Sequence, residues 1–397
     1  MSEHFFAPCP RGLESALAAE LEALGASGVQ ATDGGAGFSG PFELCYRANL
    51  ESRIASRILW RLDSGRYRRE EDIYKAAYAL PWQDWFDRTC TIMVKVSAKR
   101  CPLQSLDFIT LKIKDAVCDK FRDQTGERPS IDTHEPDLRI HAFLEEENFA
   151  LYLDTSGPAL FKRGLRRSSV EAPLRENLAA GILHLSGWKP GETLLDPMCG
   201  SGTFLMEAAQ MALDIAPGLG REFAFSKLHR FDAQAWAKLR QDAEARRKPV
   251  QFCHIYGSDL YGDVLKVARE NLETAGLLDA VQLKQGNLLE MPAPAPEGVL
   301  VTNPPYGVRI GEQEELAAMY PELGHALKQR FTGWRAYFFT ADFRLAKLIR
   351  LSASRRIPLF NGPLECRLFE YKMVAGGMRR EKPVNDRGEG GGVRGEG

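Results

Sequence analysis

The stretch Thr193-Leu194-Leu195-Asp196-Pro197-Met198-Cys199-Gly200-Ser201-Gly202-Thr203-Phe204 decides the fold of the larger part of the chain. It indicates an apolar strand, a turn with two glycines, and a helix that begins near Thr203. A glycine turn at the end of a first strand lets a ligand approach the backbone, and the helix N-terminus after it offers unpaired N–H groups. The stretch therefore predicts a ligand site on an α/β sheet.

Alternating strands and helices surround this stretch between residues 165 and 375, which is typical of a mostly parallel α/β sheet. The predicted strands are 193–198, 252–258, 280–285, 298–303, 334–340, 357–361 and 366–374, and the predicted helices are 175–187, 202–213, 262–276, 312–331 and 342–351. One more helix, over 231–247, is expected to lie outside the sheet.

Two smaller α+β units are predicted before the large one. The first covers residues 1–64, with a strand near Phe5, a helix from Leu13 to Leu24 and a second helix near 46–60. The second covers residues 65–160, with strands at 91–97, 138–144 and 149–154 and a helix over 108–122. The last segment, 376–397, is rich in Gly, Arg and Glu and is expected to be disordered.

Composition excludes several classes of protein. The 397 residues carry a formal net charge of -1, so a nucleic-acid partner requires a local basic surface. The eight cysteines form no C-x-x-C pair, so no metal site is expected. The chain shows neither a secretory signal nor an apolar run of about 18 residues, and a cytoplasmic location without membrane contact is expected.

Acidic and amide side chains follow the first three strands of the predicted sheet. Asp196 would repel a pyrophosphate, and the turn has no Gly-Lys-Ser/Thr, so phosphate loops and dinucleotide folds fit poorly. Asp196 suits a ligand with a positive charge, such as the amino group of a methionine moiety. Asp259 stands where a carboxylate accepts the ribose hydroxyls of an adenosine. Asn287 could bond an adenine amino group, with Leu260 and Leu288 on either side of the ring.

Each of these features also has an ordinary structural interpretation. The glycine turn alone occurs in many strand–helix connections. Asp259 precedes the helix 262–276 and could cap it, while Asn287 could be a turn residue.

The fourth strand ends in Asn303-Pro304-Pro305-Tyr306. Two prolines fix the chain and remove two N–H donors, so the Asn303 oxygen and nearby carbonyls are presented as rigid acceptors. Tyr306 can stack on a planar ring. Two acceptors and a stacking surface suit a flat ligand that bears an –NH2 group; the structural alternative is a stiff turn.

These motifs together resemble the class I RNA methyltransferases that use S-adenosylmethionine (SAM) and form N2-methylguanosine. The resemblance rests on Asp-Pro-x-Cys-Gly-Ser-Gly-Thr from Asp196, on Asn-Pro-Pro-Tyr-Gly from Asn303, and on the segments 153–166 and 172–180. Residues 114–117 and 128–130 are similar to part of a THUMP domain. The similarity covers about residues 1–375 and is closest to the first half of bifunctional bacterial enzymes of 23S rRNA, so only the N2 activity is expected.

The resemblance implies a ferredoxin-like region (1–64), a THUMP RNA-binding domain (65–160) and a Rossmann-like class I methyltransferase domain (165–375) with an antiparallel last strand. The SAM site is expected to comprise Asp196, Pro197, Met198, Cys199, Gly200, Ser201, Gly202, Asp259, Leu260, Asn287 and Leu288. The target base is expected to lie against Asn303, Pro304, Pro305 and Tyr306. Contacts with RNA phosphates are expected from Lys114, Arg128, Arg163, Arg166 and Arg167.

Four alternatives remain open at this point. A tRNA guanine-N2 methyltransferase shares the motifs, and a DNA N6-adenine or N4-cytosine methyltransferase uses the same tetrapeptide. A protein glutamine methyltransferase also acts on a flat –NH2 group, although the basic linker disfavours it. The last alternative is a non-catalytic RNA-binding assembly factor, which the intact Asp196, Asp259 and Asn303 disfavour.

Overall fold

The computed structural model describes residues 2–164, 174–305 and 310–374. The segment 376–397, predicted to be disordered, lies outside them. Within the described residues no helix is long and apolar enough to cross a membrane.

The first half of the chain forms a single seven-stranded sheet. Its elements are β1 (Glu3–Pro8), α1 (Glu14–Ala23), β2 (Ser27–Thr32), β3 (Gly35–Gly40), α2 (Leu44–Glu51), β4 (Leu59–Arg66), α3 (Glu70–Ala79), α4 (Trp82–Trp85), β5 (Ile92–Lys99), α5 (Leu106–Thr125), β6 (Leu138–Glu145) and β7 (Asn148–Asp154). The strand order is β2-β3-β1-β4-β7-β6-β5, and β4 pairs with both β1 and β7. The two predicted α+β units therefore share one sheet, with β4 across the expected boundary at 64/65.

The second half forms another seven-stranded sheet. Its elements are α6 (Glu176–Ser186), β8 (Leu194–Asp196), α7 (Thr203–Ala212), α8 (Ala233–Arg246), β9 (Ile255–Gly257), α9 (Gly262–Thr274), β10 (Val281–Leu283), β11 (Gly298–Thr302), α10 (Ile310–Arg330), β12 (Trp334–Thr340), α11 (Leu345–Leu348), β13 (Arg355–Asn361) and β14 (Leu364–Lys372). The order is β10-β9-β8-β11-β12-β14-β13. The first five strands are parallel, whereas β14 runs antiparallel to both β12 and β13.

This strand order places a topological switch point between β8 and β11. From β8 the chain continues outward to β9 and β10, while β11 leads to β12 on the opposite side. Ligands of open α/β sheets bind beyond the carboxyl ends of the strands at such a point. The glycine turn and the Asn-Pro-Pro sequence follow β8 and β11, so the fold brings them together as the sequence predicted.

The second helix of the first half is shorter than predicted. It ends at Glu51 and not near residue 60, and the chain continues as a loop into β4. The Glu20 carboxylate draws the backbone away from the helix, because it accepts hydrogen bonds from the Ser52 hydroxyl at 2.6 Å and the Arg53 N–H at 2.8 Å. Strands β2 and β4 and helices α3 and α4 were not predicted, and the helix predicted over 342–351 spans only Leu345–Leu348.

Helix α8 lies outside the second sheet, as expected, and packs on the first half of the chain. The ring centroids of Tyr46 in α2 and Phe225 are 4.6 Å apart, and Trp236 of α8 meets both rings edge-on. These contacts form part of one hydrophobic core that extends across both sheets. The two halves therefore form a continuous packed body.

A buried ionic cluster also joins the halves. Glu207 of α7 pairs with Arg163 at 3.1 Å and lies 3.9 Å from Arg53. The side chains of Glu207 and Arg163 are each 1% exposed. Arg163 also donates to the Arg53 carbonyl at 2.9 Å. The helix that follows the glycine turn is thus tied directly to the loop after α2.

We predict that Glu207→Ala lowers the free energy of unfolding by about 3–5 kcal/mol, because it leaves a buried guanidinium without its counter-charge. Urea denaturation followed by circular dichroism measures this. The matched control is Glu270→Ala, which removes the partner of Lys266, a side chain that is 75% exposed. This control substitution is expected to lower the free energy of unfolding by less than about 1 kcal/mol. Equal losses in the two variants would contradict the prediction.

Candidate active site

Asp196 lies at the carboxyl end of β8 and is 2% exposed. Its Oδ1 accepts hydrogen bonds from the Thr302 hydroxyl at 2.9 Å and from the Met198 N–H at 3.2 Å. Thr302 is the last residue of β11 and is fully buried. This bond joins the glycine turn to the strand end that carries Asn303. Thr302 was not among the predicted site residues, although it directly precedes Asn303 in the sequence.

The Asp196 carboxyl favours the approach of a cation. Its pKa is raised from 3.8 to about 7, chiefly by burial; the hydrogen bonds from Thr302 and Met198 oppose this rise only in part, and the nearby Asp259 charge contributes to it. A positively charged group in contact with Asp196 would offset the desolvation of the carboxylate.

Asp259 lies two residues beyond β9, beside the glycine turn. Its two oxygens accept hydrogen bonds from the Gly200 N–H at 3.1 Å and the Tyr261 N–H at 3.2 Å. Burial raises the pKa of this carboxyl as well. Asp259 thus stabilises the turns after β8 and β9. It does not cap the helix α9, whose N-cap residue is Tyr261 without a side-chain cap hydrogen bond, so the structural alternative for Asp259 is wrong. The Leu260 N–H is a third backbone donor to this carboxylate. Because a carboxylate has about four lone-pair sites, Asp259 can still accept a hydrogen bond from a ligand hydroxyl group.

The glycines of the turn are required by the backbone conformation. Gly200 has φ +54° and Gly202 has φ +82°, values that side chains with a Cβ rarely adopt. A Cβ on Gly202 would also lie 3.3 Å from the Cβ of Ala268 in α9. Within the segment 197–202, the residues Pro197, Cys199 and Ser201 are buried, and Met198 is half-buried.

The three side chains predicted to contact the adenine ring lie in different environments. Asn287 is half-buried, and its Oδ1 accepts a hydrogen bond from the Leu289 N–H at 3.0 Å, which leaves one lone pair for another donor. Leu260 is 52% exposed, whereas Leu288 is 3% exposed and belongs to the core with Leu195. The Leu288 side chain packs inside the domain, and the expectation that Leu260 and Leu288 enclose a ring from both sides stays a prediction.

The Asn-Pro-Pro segment continues directly from β11. Asn303 is half-buried, Pro304 is buried and Pro305 is exposed. Tyr306, the predicted stacking residue, lies outside the described residues. The segment starts one residue from the Thr302–Asp196 bond, so Asn303 and the glycine turn lie beside each other at the carboxyl ends of β11 and β8.

The predicted RNA contacts occupy different environments. The Arg163 guanidinium is buried against Glu207, so a phosphate contact is incompatible with its position and the prediction is wrong for this residue. Lys114 pairs with its neighbour Asp115 at 2.6 Å, and Arg128 is exposed. Arg166 and Arg167 lie outside the described residues. Within the described ranges no group of His, Cys, Asp and Glu is arranged to hold a metal ion.

We predict that Asp196→Asn stabilises the ligand-free protein at alkaline pH. The folded-state pKa of Asp196 lies above the unfolded value, so its contribution to stability falls as the pH rises from about 4 to 7. The variant should gain about 2–4 kcal/mol over the wild type at pH 8 and little at pH 4.5. Urea denaturation of both proteins at each pH provides the test. A difference that does not change with pH would exclude a raised pKa at this residue.

Three family models match successive parts of the chain. Residues 4–59 match the RlmL ferredoxin-like domain, residues 67–154 match the THUMP domain, and residues 163–370 match the RMKL-like methyltransferase domain. A protein of Shewanella sp. strain W3-18-1, named ribosomal RNA large subunit methyltransferase K/L, is 40% identical over 386 residues. The match covers 96% of this chain and 54% of that protein, so the chain spans about half the length of the curated relatives it matches.

Two solved structures share the whole architecture. SMU.472, described as a candidate methyltransferase and crystallised with SAH, is 30% identical with a TM-score of 0.85, over 95% of this chain and 99% of that one. A Listeria monocytogenes protein described as a predicted N6-adenine-specific DNA methylase is 28% identical with a TM-score of 0.84, over 94% and 96% of the two chains. With a match over residues 163–370 and these relatives, the chain belongs to the RMKL-like methyltransferase domain family, with ferredoxin-like and THUMP domains before the catalytic fold.

Proposed function

We propose that this chain is a SAM-dependent RNA methyltransferase that methylates the N2 amino group of a guanine in large-subunit (23S) ribosomal RNA. The observation that carries the proposal is the Thr302–Asp196 hydrogen bond, which sets an Asn-Pro-Pro segment beside a buried acid at the switch point. The relatives named for large-subunit rRNA support the substrate. A ribosomal substrate implies a cytoplasmic location.

The residues that follow strands β8, β9 and β10 fit SAM. Asp196 is a buried carboxyl with a raised pKa, which suits the cationic methionine end of the cofactor. Asp259 retains acceptor capacity for a ribose hydroxyl, and the Asn287 oxygen retains one lone pair for the adenine amino group. The exposed Leu260 can cover one side of the adenine ring. When bound there, SAM supplies an electrophilic methyl group.

Asn303 and the proline carbonyls would prepare the target amine. The lone pair of an exocyclic amino group is delocalised into the base, which makes the nitrogen a poor nucleophile. Oxygen acceptors that bond both N–H groups favour a pyramidal nitrogen and aim its lone pair. The same fixed dipoles stabilise the positive charge that develops as the N–C bond forms and the S–C bond breaks. A proton then leaves the nitrogen for solvent, so no basic side chain is required.

The THUMP match supports RNA as the partner, and we propose Lys114 and Arg128 as contacts for phosphates. The domain limits that we propose are 1–64, 65–160 and 165–375. DNA N6-adenine methylation is the second candidate function, because the Listeria relative carries that description.

The decisive experiment combines the purified protein with isotope-labelled SAM and either rRNA from a strain without the modification, total tRNA or unmethylated DNA. Digestion to nucleosides and mass spectrometry then identify the product. We expect labelled N2-methylguanosine from rRNA alone. Label in tRNA would reassign the substrate, and N6-methyladenosine from DNA would favour the second candidate.

We predict that Asn303→Ala reduces turnover at least 100-fold while the dissociation constant for SAM stays within about twofold, because Asn303 bonds the base and not the cofactor. Asp259→Ala is the matched variant with the opposite expected result. It should weaken SAM binding by roughly 1.5–3 kcal/mol, the effect of losing hydrogen bonds to a charged group. Calorimetric titration and single-turnover kinetics separate the two effects. Normal turnover in Asn303→Ala would exclude its assigned role.

A further inference from the structure

One face of the first sheet is partly exposed to solvent, whereas the side chains on the other face are buried in the hydrophobic core. Successive side chains of a strand point to opposite faces. On β6, Ile140, Ala142 and Leu144 are buried, whereas the His141 side chain is 17% exposed and Phe143 is 37% exposed. The same alternation continues in β7, where Leu151 and Leu153 are buried and Tyr152 is half-buried.

The register of the strands aligns four polar or aromatic side chains across this face. Lys95 of β5 is paired with His141 of β6, His141 with Tyr152 of β7, and Tyr152 with Arg61 of β4. Neighbouring strands are about 4.8 Å apart, so the row extends over roughly 14 Å. Lysine and arginine thus stand at the two ends of a row with an imidazole and a phenol ring between them.

Two more aromatic rings lie beside this row. Phe143 is two residues beyond His141 on the same strand and therefore on the same face. Phe6 of β1 lies beyond Arg61, and its ring centroid is 6.2 Å from that of Tyr152. We call the surface formed by Phe6, Arg61, Lys95, His141, Phe143 and Tyr152 the open sheet face.

The cations of the open sheet face are available to an anionic partner. Lys95 and Arg61 are exposed, and neither makes an ion pair with any residue that the structure describes. The acids nearby are already engaged: Asp154 is buried and pairs with Arg57, and Glu145 lies 3.5 Å from Lys99. The face therefore has a local positive surplus in a chain whose formal net charge is -1.

We propose that the open sheet face binds an unpaired segment of the RNA substrate, with bases stacked on Phe143 and Tyr152 and phosphates near Lys95 and Arg61. The inference rests on the RNA substrate proposed above and adds where, and in which form, that RNA is held. Aromatic rings set among cations match a single strand, whose bases are free to stack. A duplex offers its backbone and 2′-hydroxyls but no free base faces.

The test measures binding of the full chain to a fluorescent single-stranded oligouridine of about 12 nucleotides by anisotropy. Phe143→Ala should weaken binding roughly 5- to 100-fold, the range for loss of a stacking ring. Phe143→Trp, which keeps a stacking surface, should retain the affinity. Lys95→Ala and Arg61→Ala should each make the slope of log affinity against log salt concentration less steep by about 0.7, the value for one phosphate contact on a single strand.

Two control variants test the position of the surface. Phe108→Ala removes a ring of α5 that is 45% exposed, and Lys266→Ala removes a lysine of α9 that is 75% exposed. Both should bind the oligonucleotide as the wild type does. A loss in Phe108→Ala with none in Phe143→Ala would overturn the proposal in favour of the helical side. So would equal loss in Phe143→Ala and Phe143→Trp, or a duplex that binds as tightly as the single strand.

The binding measurement tests the open sheet face, and the methyl-transfer measurement tests the proposed function, so the two proposals can be refuted independently. If no RNA is methylated but Phe143→Ala still weakens oligonucleotide binding, the proposed function is wrong and the open sheet face stands. If rRNA is methylated and Phe143→Ala binds normally, the function stands and the open sheet face is wrong.

Discussion

The hydrogen bond from Thr302 to Asp196 joins the two strand ends on which the active site depends. Strands β8 and β11 are neighbours in the sheet but lie about a hundred residues apart in sequence. Each contributes one side of the candidate site: the glycine turn follows β8, and Asn303 follows β11. A bond of 2.9 Å between fully buried partners fixes the distance between these sides. Asp259, through the Gly200 N–H, then holds the next turn against the same loop.

The two halves of the chain, each built on one sheet, are connected near these strand ends. Helix α7 begins at the glycine turn, and its Glu207 pairs with Arg163 just after the first sheet ends. Breaking a buried ion pair costs more than the intact pair contributes, because the remaining charge has no water around it. The intact pair therefore adds little to the free energy of folding, but any arrangement of the two halves that separates Glu207 from Arg163 is strongly disfavoured. An RNA held by the first sheet would be presented to the candidate site at a set distance.

The sequence predicted elements whose signals are local and strong. The turn around Gly200 and Gly202, the Asn-Pro-Pro end of β11 and the extra helix α8 all follow from spacing and residue type. It did not predict features that depend on contacts between distant segments. Glu20 shortens α2 by binding the backbone at Arg53, and no periodicity within α2 contains that information. Arg163 belongs to a basic cluster in the sequence, yet Glu207, distant along the chain, draws it inside. In the sequence, Thr302 looks like any other strand residue; its role depends on Asp196 of the neighbouring strand β8.

The ligand-free site stores unfavourable electrostatic energy in Asp196 and Asp259. Both carboxyls have raised pKa values because burial removes water without supplying a cation. The hydrogen bonds from Thr302 and Met198 offset this only in part, so the protein is less stable than one with neutral groups there. A cationic ligand beside Asp196 relieves the penalty and gains binding energy that a neutral analogue of the same shape does not. Under the proposed assignment of SAM to this site, the acid that weakens the fold would also favour a charged cofactor, which an Asn at the same buried position would not do.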